Sequence, residues 1–232
     1  MQGRLGLVAA TAFVVGPLLA WLRLVPALVG FVMMGLGGIL ALVAAVALLV
    51  RLVRGRGATA GGLVGMVVAV VFVLLARRGA GVPRINDFTT DLDDPPVFVH
   101  GATRPANVGR DMAYPPSFAA LQRGCCADLQ PLRLPLQPAQ AFARARAVAE
   151  HMPRWTVTDA DQPAGVIEVV AESRLFGFQD DVVIRVRPDG ADGSRIDVRS
   201  KSRDGKGDLG TNAARIRAYV SALQQADGGP PA

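Results

Sequence analysis

Three long apolar runs open the chain, and an alternating apolar/polar pattern between two helical stripes closes it. Residues 5–22, 27–50 and 58–76 are uncharged over 18, 24 and 19 positions. About 20 apolar residues suffice for a helix to cross the hydrocarbon core, so each run predicts a transmembrane helix. Gly16-Pro17 interrupts the first run, and only Arg23-Leu24-Val25-Pro26 joins it to the second. A signal peptide, with Arg4 as its charged region and Leu18-Leu19-Ala20 as a poor cleavage site, is the alternative for that run. Small residues at Gly61 and Gly65, and at Gly30, Gly37, Ala41 and Ala44 with Leu48, mark either helix contacts or plain membrane-helix composition.

From Pro138 the period changes. Proline suits the first turn of a helix, and Phe142, Ala145, Ala149 and Met152 share one face until Pro153 stops it. His151, in the last turn, is placed to meet free carbonyls. Strands are predicted at 155–159, 166–172, 181–187 and 195–202. In the third, Val182, Ile184 and Val186 oppose Val183, Arg185 and Arg187. In the fourth, Ile196, Val198, Ser200 and Ser202 oppose Arg195, Asp197, Arg199, Lys201 and Arg203. Such alternation predicts a sheet with one buried face. Glu168 and Glu172 share a face and are expected to pair with arginines of neighbouring strands. Asp189-Gly190-Ala191-Asp192-Gly193 is hairpin chemistry. A last helix, 211–225, carries Ala213, Ile216, Val220 and Leu223 as its buried stripe.

The expected architecture is a membrane anchor of three transmembrane helices over residues 1–80 and an extended Pro/Gly/Asp-rich segment over 81–136. An α+β two-layer domain follows over 137–226, with a four-stranded antiparallel sheet covered by two helices, and then a frayed tail at 227–232.

Charge sharpens this division. Seven arginines and no acidic residue precede residue 80, which leaves 18 basic residues against all 19 acidic ones beyond it. The high sequence pI, about 10.3, therefore comes from membrane-flanking arginines, and nucleic-acid binding is not expected. No ionisable residue lies inside a span, so the spans read as an anchor in the lipid bilayer rather than an ion pathway. With the N-terminus in the cytoplasm, the cytoplasmic set is the α-amino group, Arg4, Arg51, Arg54 and Arg56. Arg23, Arg77, Arg78 and Arg84 face them, and the amine tilts the balance towards an outward C-terminal domain.

Candidate chemistry is sparse. Cys125 and Cys126 are adjacent, a spacing that disfavours a mutual disulfide and matches no metal motif. Asp87, Asp91, Asp93 and Asp94 offer carboxylates for a hard cation, but their spacing fits no EF-hand loop, and a solvated turn is the simpler reading. His100 reads as an ordinary loop residue. No Walker loop, nucleophile elbow or H-E-x-x-H appears, and no metal or cofactor is expected. The junction between the last strand and last helix is the richest stretch. Arg199, Arg203 and Arg215 can converge on a helix N-terminus capped by Thr211 or Asn212, with Asp208 nearby. Either Asp208 is an internal anion that locks helix to sheet, or Arg199, Arg203, Asp208, Asn212 and Arg215 bind an external phosphate or carboxylate. A hydrolase using Asp204 or Asp208, and an accessory subunit of a larger membrane complex, are the alternatives to a binding or scaffold module.

Four runs carry a resemblance: Ile85-Asn86-Asp87-Phe88-Thr89-Thr90-Asp91, Phe178-Gln179-Asp180-Asp181, Arg199-Ser200-Lys201-Ser202-Arg203, and Asp208-Leu209-Gly210-Thr211-Asn212-Ala213-Ala214-Arg215-Ile216. They are similar to the domain of unknown function 1499, over about residues 84–224. Gly124-Cys125-Cys126 departs from that pattern. The resemblance implies no reaction. It implies a bacterial or plastid domain that is exported or membrane-attached, hence a bacterial inner-membrane protein with its C-terminal domain in the periplasm. Another membrane protein or a small anionic ligand is the partner expected there.

Overall fold

The computed structural model describes residues 2–79 and 81–226; the predicted tail at 227–232 lies outside the described residues. The chain forms two compact units.

The first contains helices α1 (Gln2–Trp21), α2 (Ala27–Val53) and α3 (Ala60–Arg78), each long and apolar enough to cross a membrane. Pro17 does not interrupt the first run, as the sequence suggested, but lies inside α1. Loss of one backbone donor is tolerated there by a helix otherwise intact on both sides. The chain turns after α1 through Arg23 in the left-handed region, φ 58°. Thr59 caps α3, accepting from the Gly62 N–H at 3.2 Å.

Gly30, Gly37, Gly38, Ala41, Ala44, Ala45 and Leu48 form the buried stripe of α2, so the small residues singled out in the sequence are contact residues. Gly61 admits the closest approach. A Cβ there would overlap the Gly3 carbonyl, and a Cβ on Gly6 would overlap the Gly61 carbonyl. A Cβ on Gly65 would lie 2.9 Å from that of Ala44. Backbones can meet this closely only where both lack side chains.

The second unit is built on an antiparallel sheet. Its main strands are β3 (Trp155–Asp161), β4 (Val166–Glu172), β5 (Gln179–Asp189) and β6 (Gly193–Ser202). Two three-residue strands, β1 (Asp87–Thr89) and β2 (Leu132–Leu134), take successive lengths of the outer edge of β6. Asp87 to Thr89 pair with Lys201 to Arg199, and Leu132 to Leu134 with Ile196 to Ser194. The sheet therefore has six strands in the order β1-β6-β5-β4-β3, with β2 beside β1 on β6, rather than the four expected. Segments this short carry no readable period; the free edge of β6 supplies their order.

The stretch 81–136 also contributes α4 (Pro116–Cys125) and packs into the same unit as the sheet. From α4, the buried Gln122 amide donates to Thr89 O at 2.5 Å and accepts from Thr89 N–H at 3.1 Å. It thereby satisfies both backbone groups of an edge residue that has no next strand.

Helices α5 (Pro138–His151) and α6 (Thr211–Gln225) cover one face of the sheet. Ile167, Val169, Val182, Ile184, Ile196 and Val198 meet Ala141, Phe142, Ala145, Ile216 and Leu223 in the core. Tyr219 stacks on Trp155 and donates to Ala145 O at 2.8 Å, tying α6 to α5. His151 Nδ1 lies 2.7 Å from Ala147 O, one turn back in its own helix rather than against the free carbonyls expected.

The opposite face is buried as well, under the irregular stretch 90–114 with its 3-10 turns Gly101–Thr103 and Pro105–Asn107. There Phe98 and Met112 pack on Val183. The expectation of a sheet with one buried face is corrected: polar alternation here marks a second, charged interior.

Packing in the first unit gives a test. Gly61→Leu should lower the thermal stability of the detergent-purified chain by about 1–3 kcal/mol or more, as overpacking does. Gly35→Leu, where an added Cβ meets nothing within 4 Å, should leave it unchanged. Melting followed by fluorescence-detected size-exclusion chromatography checks the pair.

Candidate functional site

The charged interior follows from strand register. Arg195, Asp197, Arg199 and Lys201 of β6 stand on one face, opposite Arg187, Arg185, Val183 and Asp181 of β5, and Arg203 follows directly after the strand. Glu168 of β4 pairs with Val183 and extends the same row.

Arg199 is the centre of this face and is 1% exposed. Its Nε and Nη2 donate to the two oxygens of Asp87 at 2.9 and 2.8 Å, a bidentate pair. Its remaining donors reach Pro96 O at 3.0 Å and Met112 O at 2.8 Å. The guanidinium also lies 4.9 Å from the Phe98 ring and 5.6 Å from that of Tyr114. Lys201 Nζ adds a third bond to Asp87, at 2.9 Å.

A second knot joins three arginines to two aspartates. Fully buried Asp197 accepts from Arg185 at 3.0 Å and from Arg187 and Arg195 at 2.9 Å. Asp91 Oδ2 accepts from the same three guanidiniums, while its Oδ1 accepts from the Asp93 and Asp94 N–H groups at 3.2 and 3.0 Å. Arg195 and Arg187 are direct cross-strand partners, so without these carboxylates like charges would face each other. Asp87 and Asp91 are thus buried ion-pair partners and not the solvated turn expected; only Asp93 and Asp94 of that group are exposed.

Glu168 departs from its expected role too. Its carboxylate accepts the N–H groups of Val99, His100 and Gly101, with Arg104 at 3.7 Å. An internal anion fills this backbone nest.

The five residues proposed from sequence are split between the two faces of β6. Arg199 belongs to the charged interior. So does Arg203, which forms a bidentate pair with Asp181 at 2.9 and 2.7 Å. On the helix side, Asn212 accepts from Ser200 Oγ at 2.6 Å and donates to Ser202 Oγ at 2.8 Å. Arg215 bonds Ser200 Oγ at 3.0 Å and Asp180 at 2.6 Å. Asp208 meets neither arginine. Its oxygens accept from Gly210 N–H at 2.8 Å and Asn212 N–H at 2.7 Å, capping the start of α6 after two left-handed residues, Leu209 and Gly210. Burial pushes the Asp208 carboxyl above the usual aspartate range, against these backbone donors.

Asp197, Asp181, Arg185 and Arg187 went unsingled in the sequence. The signal that finds them is the excess of cations on one face of β6 and the residue after it, Arg195, Arg199, Lys201 and Arg203 against Asp197, which a buried sheet must neutralise.

A family model described as "Protein of unknown function (DUF1499)" matches residues 87–223, more than half of the chain. No curated protein matches it.

Two measurements test this geometry. Asp87→Ala removes the carboxylate that both Arg199 and Lys201 pair with, and should cost about 3–5 kcal/mol in urea unfolding of the protein. Arg199→Ala should couple strongly to it in a double-mutant cycle. For Asp208, the unfolded carboxyl ionises before the folded one as pH rises. Wild type should therefore lose stability relative to Asp208→Asn from the ordinary aspartate value up to the raised folded value, and change no further above it. Urea midpoints of both proteins across pH 3.5 to 6.5, about the carboxylate range, measure this.

Proposed function

The chain belongs to the family of proteins of unknown function DUF1499, and we propose that it is a membrane-anchored binding or scaffold module of the cell envelope. The observation that carries this reading is the buried ionic layer. Asp87, Asp91, Asp181 and Asp197 are each held by arginines or Lys201. Carboxylates fixed in this way are poorly suited to general acid–base work, which needs a group free to exchange protons at a reacting atom. They suit a rigid platform instead, because fully paired buried ions tolerate few alternative arrangements. The hydrolase alternative draws no support from Asp208, whose oxygens cap α6, or from Asp204, which lies exposed in the preceding turn.

For location, three helices are long and apolar enough to cross a membrane. The arginine balance and the resemblance favour an N-terminus in the cytoplasm and the α+β domain in the periplasm. A small anionic ligand or another membrane protein is the partner this reading expects.

Two experiments test the proposal. Alkaline phosphatase fused after residue 226 should be active and a fluorescent protein at the same point dark; the reverse pattern overturns the periplasmic location. Native mass spectrometry of the chain purified in mild detergent should reveal a bound small molecule or protein. A bare chain under conditions that keep known weak complexes intact would count against a binding module.

A further inference from the structure

A cleft of about 880 Å³ opens where the ionic layer reaches the surface beside β2, lined among others by Arg123, Arg133, Arg187, Arg195, Asp91 and Asp93. The volume falls within the range of small-ligand sites. Its charges sum close to neutral, so recognition depends on which hydrogen-bonding capacity is left over. Asp91 is spent: one oxygen takes two backbone N–H groups and the other takes three guanidiniums. Asp93 and Asp94, which also lines the cleft, each engage arginines through one oxygen and leave the other free, so four arginines face three aspartates there.

Donors are left over on all four arginines. Arg195 uses Nε and Nη2, and its Nη1 has no acceptor among the described residues. Arg187 uses both terminal nitrogens and leaves Nε. Arg133 makes one contact, Nη1 to Asp189 at 2.5 Å, and Arg123 makes one, Nη2 to Asp93 at 3.2 Å. The side chains of those two arginines are 68% and 59% exposed. Surface pairs of that kind contribute little stability, so both side chains can turn to a ligand without harming the fold. A planar fork of N–H groups matches the paired oxygens of a carboxylate or phosphate.

We propose that this cleft binds an oxyanion, a phosphate or carboxylate group, with Arg195 and Arg187 as its fixed floor and Arg123 and Arg133 as movable clamps. The proposal rests on the binding-module reading and gives it a ligand class and a place. That place is distinct from the start of α6, where Asp208 occupies the helix donors.

The test uses the full chain in neutral detergent. Melting is followed with inorganic phosphate and with citrate, each against sodium chloride at equal ionic strength. Wild type should show a saturable rise in melting temperature with one or both anions beyond the chloride effect. The double variant Arg123→Gln/Arg133→Gln should melt like wild type without anion and lose that rise. Arg84→Gln/Arg146→Gln removes the same charge from exposed positions outside the cleft and should keep it.

A second arm uses nanodiscs of phosphatidylcholine with or without phosphatidylglycerol. Stabilisation by the anionic lipid that vanishes in the clamp variant, without a response to free anions, assigns the oxyanion to a lipid headgroup. The proposal is overturned if no anion or anionic lipid stabilises wild type, or if the clamp variant responds as wild type does. That failure leaves the fusion and mass-spectrometry results standing, so site and general reading fail separately.

Discussion

Asp87 lies fully buried between Arg199 and Lys201, and that contact sets the terms for one whole side of the sheet. Moving an isolated ion from water to a dry interior costs on the order of 20 kcal/mol in the idealised limit. One carboxylate against two cations cannot offset that alone. The remainder comes from the Pro96, Met112 and Ala113 carbonyls and from the Phe98 and Tyr114 rings. All five belong to the stretch that covers the sheet. That stretch is therefore held on β5 and β6 by solvating buried cations as well as by the packing of Phe98 and Met112 on Val183.

The same strand faces the apolar core with its alternate residues. Ile196 and Val198 enter that core, and Ser200 and Ser202 bond Asn212 of α6, while Asp197, Arg199 and Lys201 turn the other way. A slip of one residue in β6 would send cations into the apolar core and Ile196 and Val198 into the ionic layer. Buried ion pairs seldom add stability over apolar replacements of equal volume. Their contribution here is to make every wrong register costly, and α6 inherits that precision through Asn212 and Arg215, which anchor on the serines between the charges.

Elements with a period were legible in the sequence: the three apolar helices, four long strands and two covering helices. β1 and β2 were not, since three residues set no period and their order comes from the edge of β6 and from Gln122. Asp91 shows why local reading captured half of a residue's role. Its Oδ1 makes the turn bonds to Asp93 and Asp94 that Asp-Pro chemistry suggests. Its Oδ2 gathers three arginines that are 94 to 104 positions away in sequence, which no local pattern contains. Strand alternation already separated Arg199 and Arg203 from Ser200 and Ser202, but that Asn212 and Arg215 reach the serine side depends on where α6 docks, a tertiary fact.

Exposure changes along β6 in a way that separates structure from exchange. At the β1 end, the Asp87–Arg199 side chains are 0% and 1% exposed. Opening that pair would strand a charge in a dry interior, so no external anion can trade with it at tolerable cost. At the β2 end, Arg195 is 26% exposed, Arg187 36% and Arg133 68%. Water and salt already share those guanidiniums, which lowers both the strength of each internal pair and the cost of replacing it. Burial thus grades one continuous ionic layer from a fixed lock to exchangeable clamps. The side of the domain able to meet a ligand is the end where the lattice gives out, not the place where its charges are most concentrated.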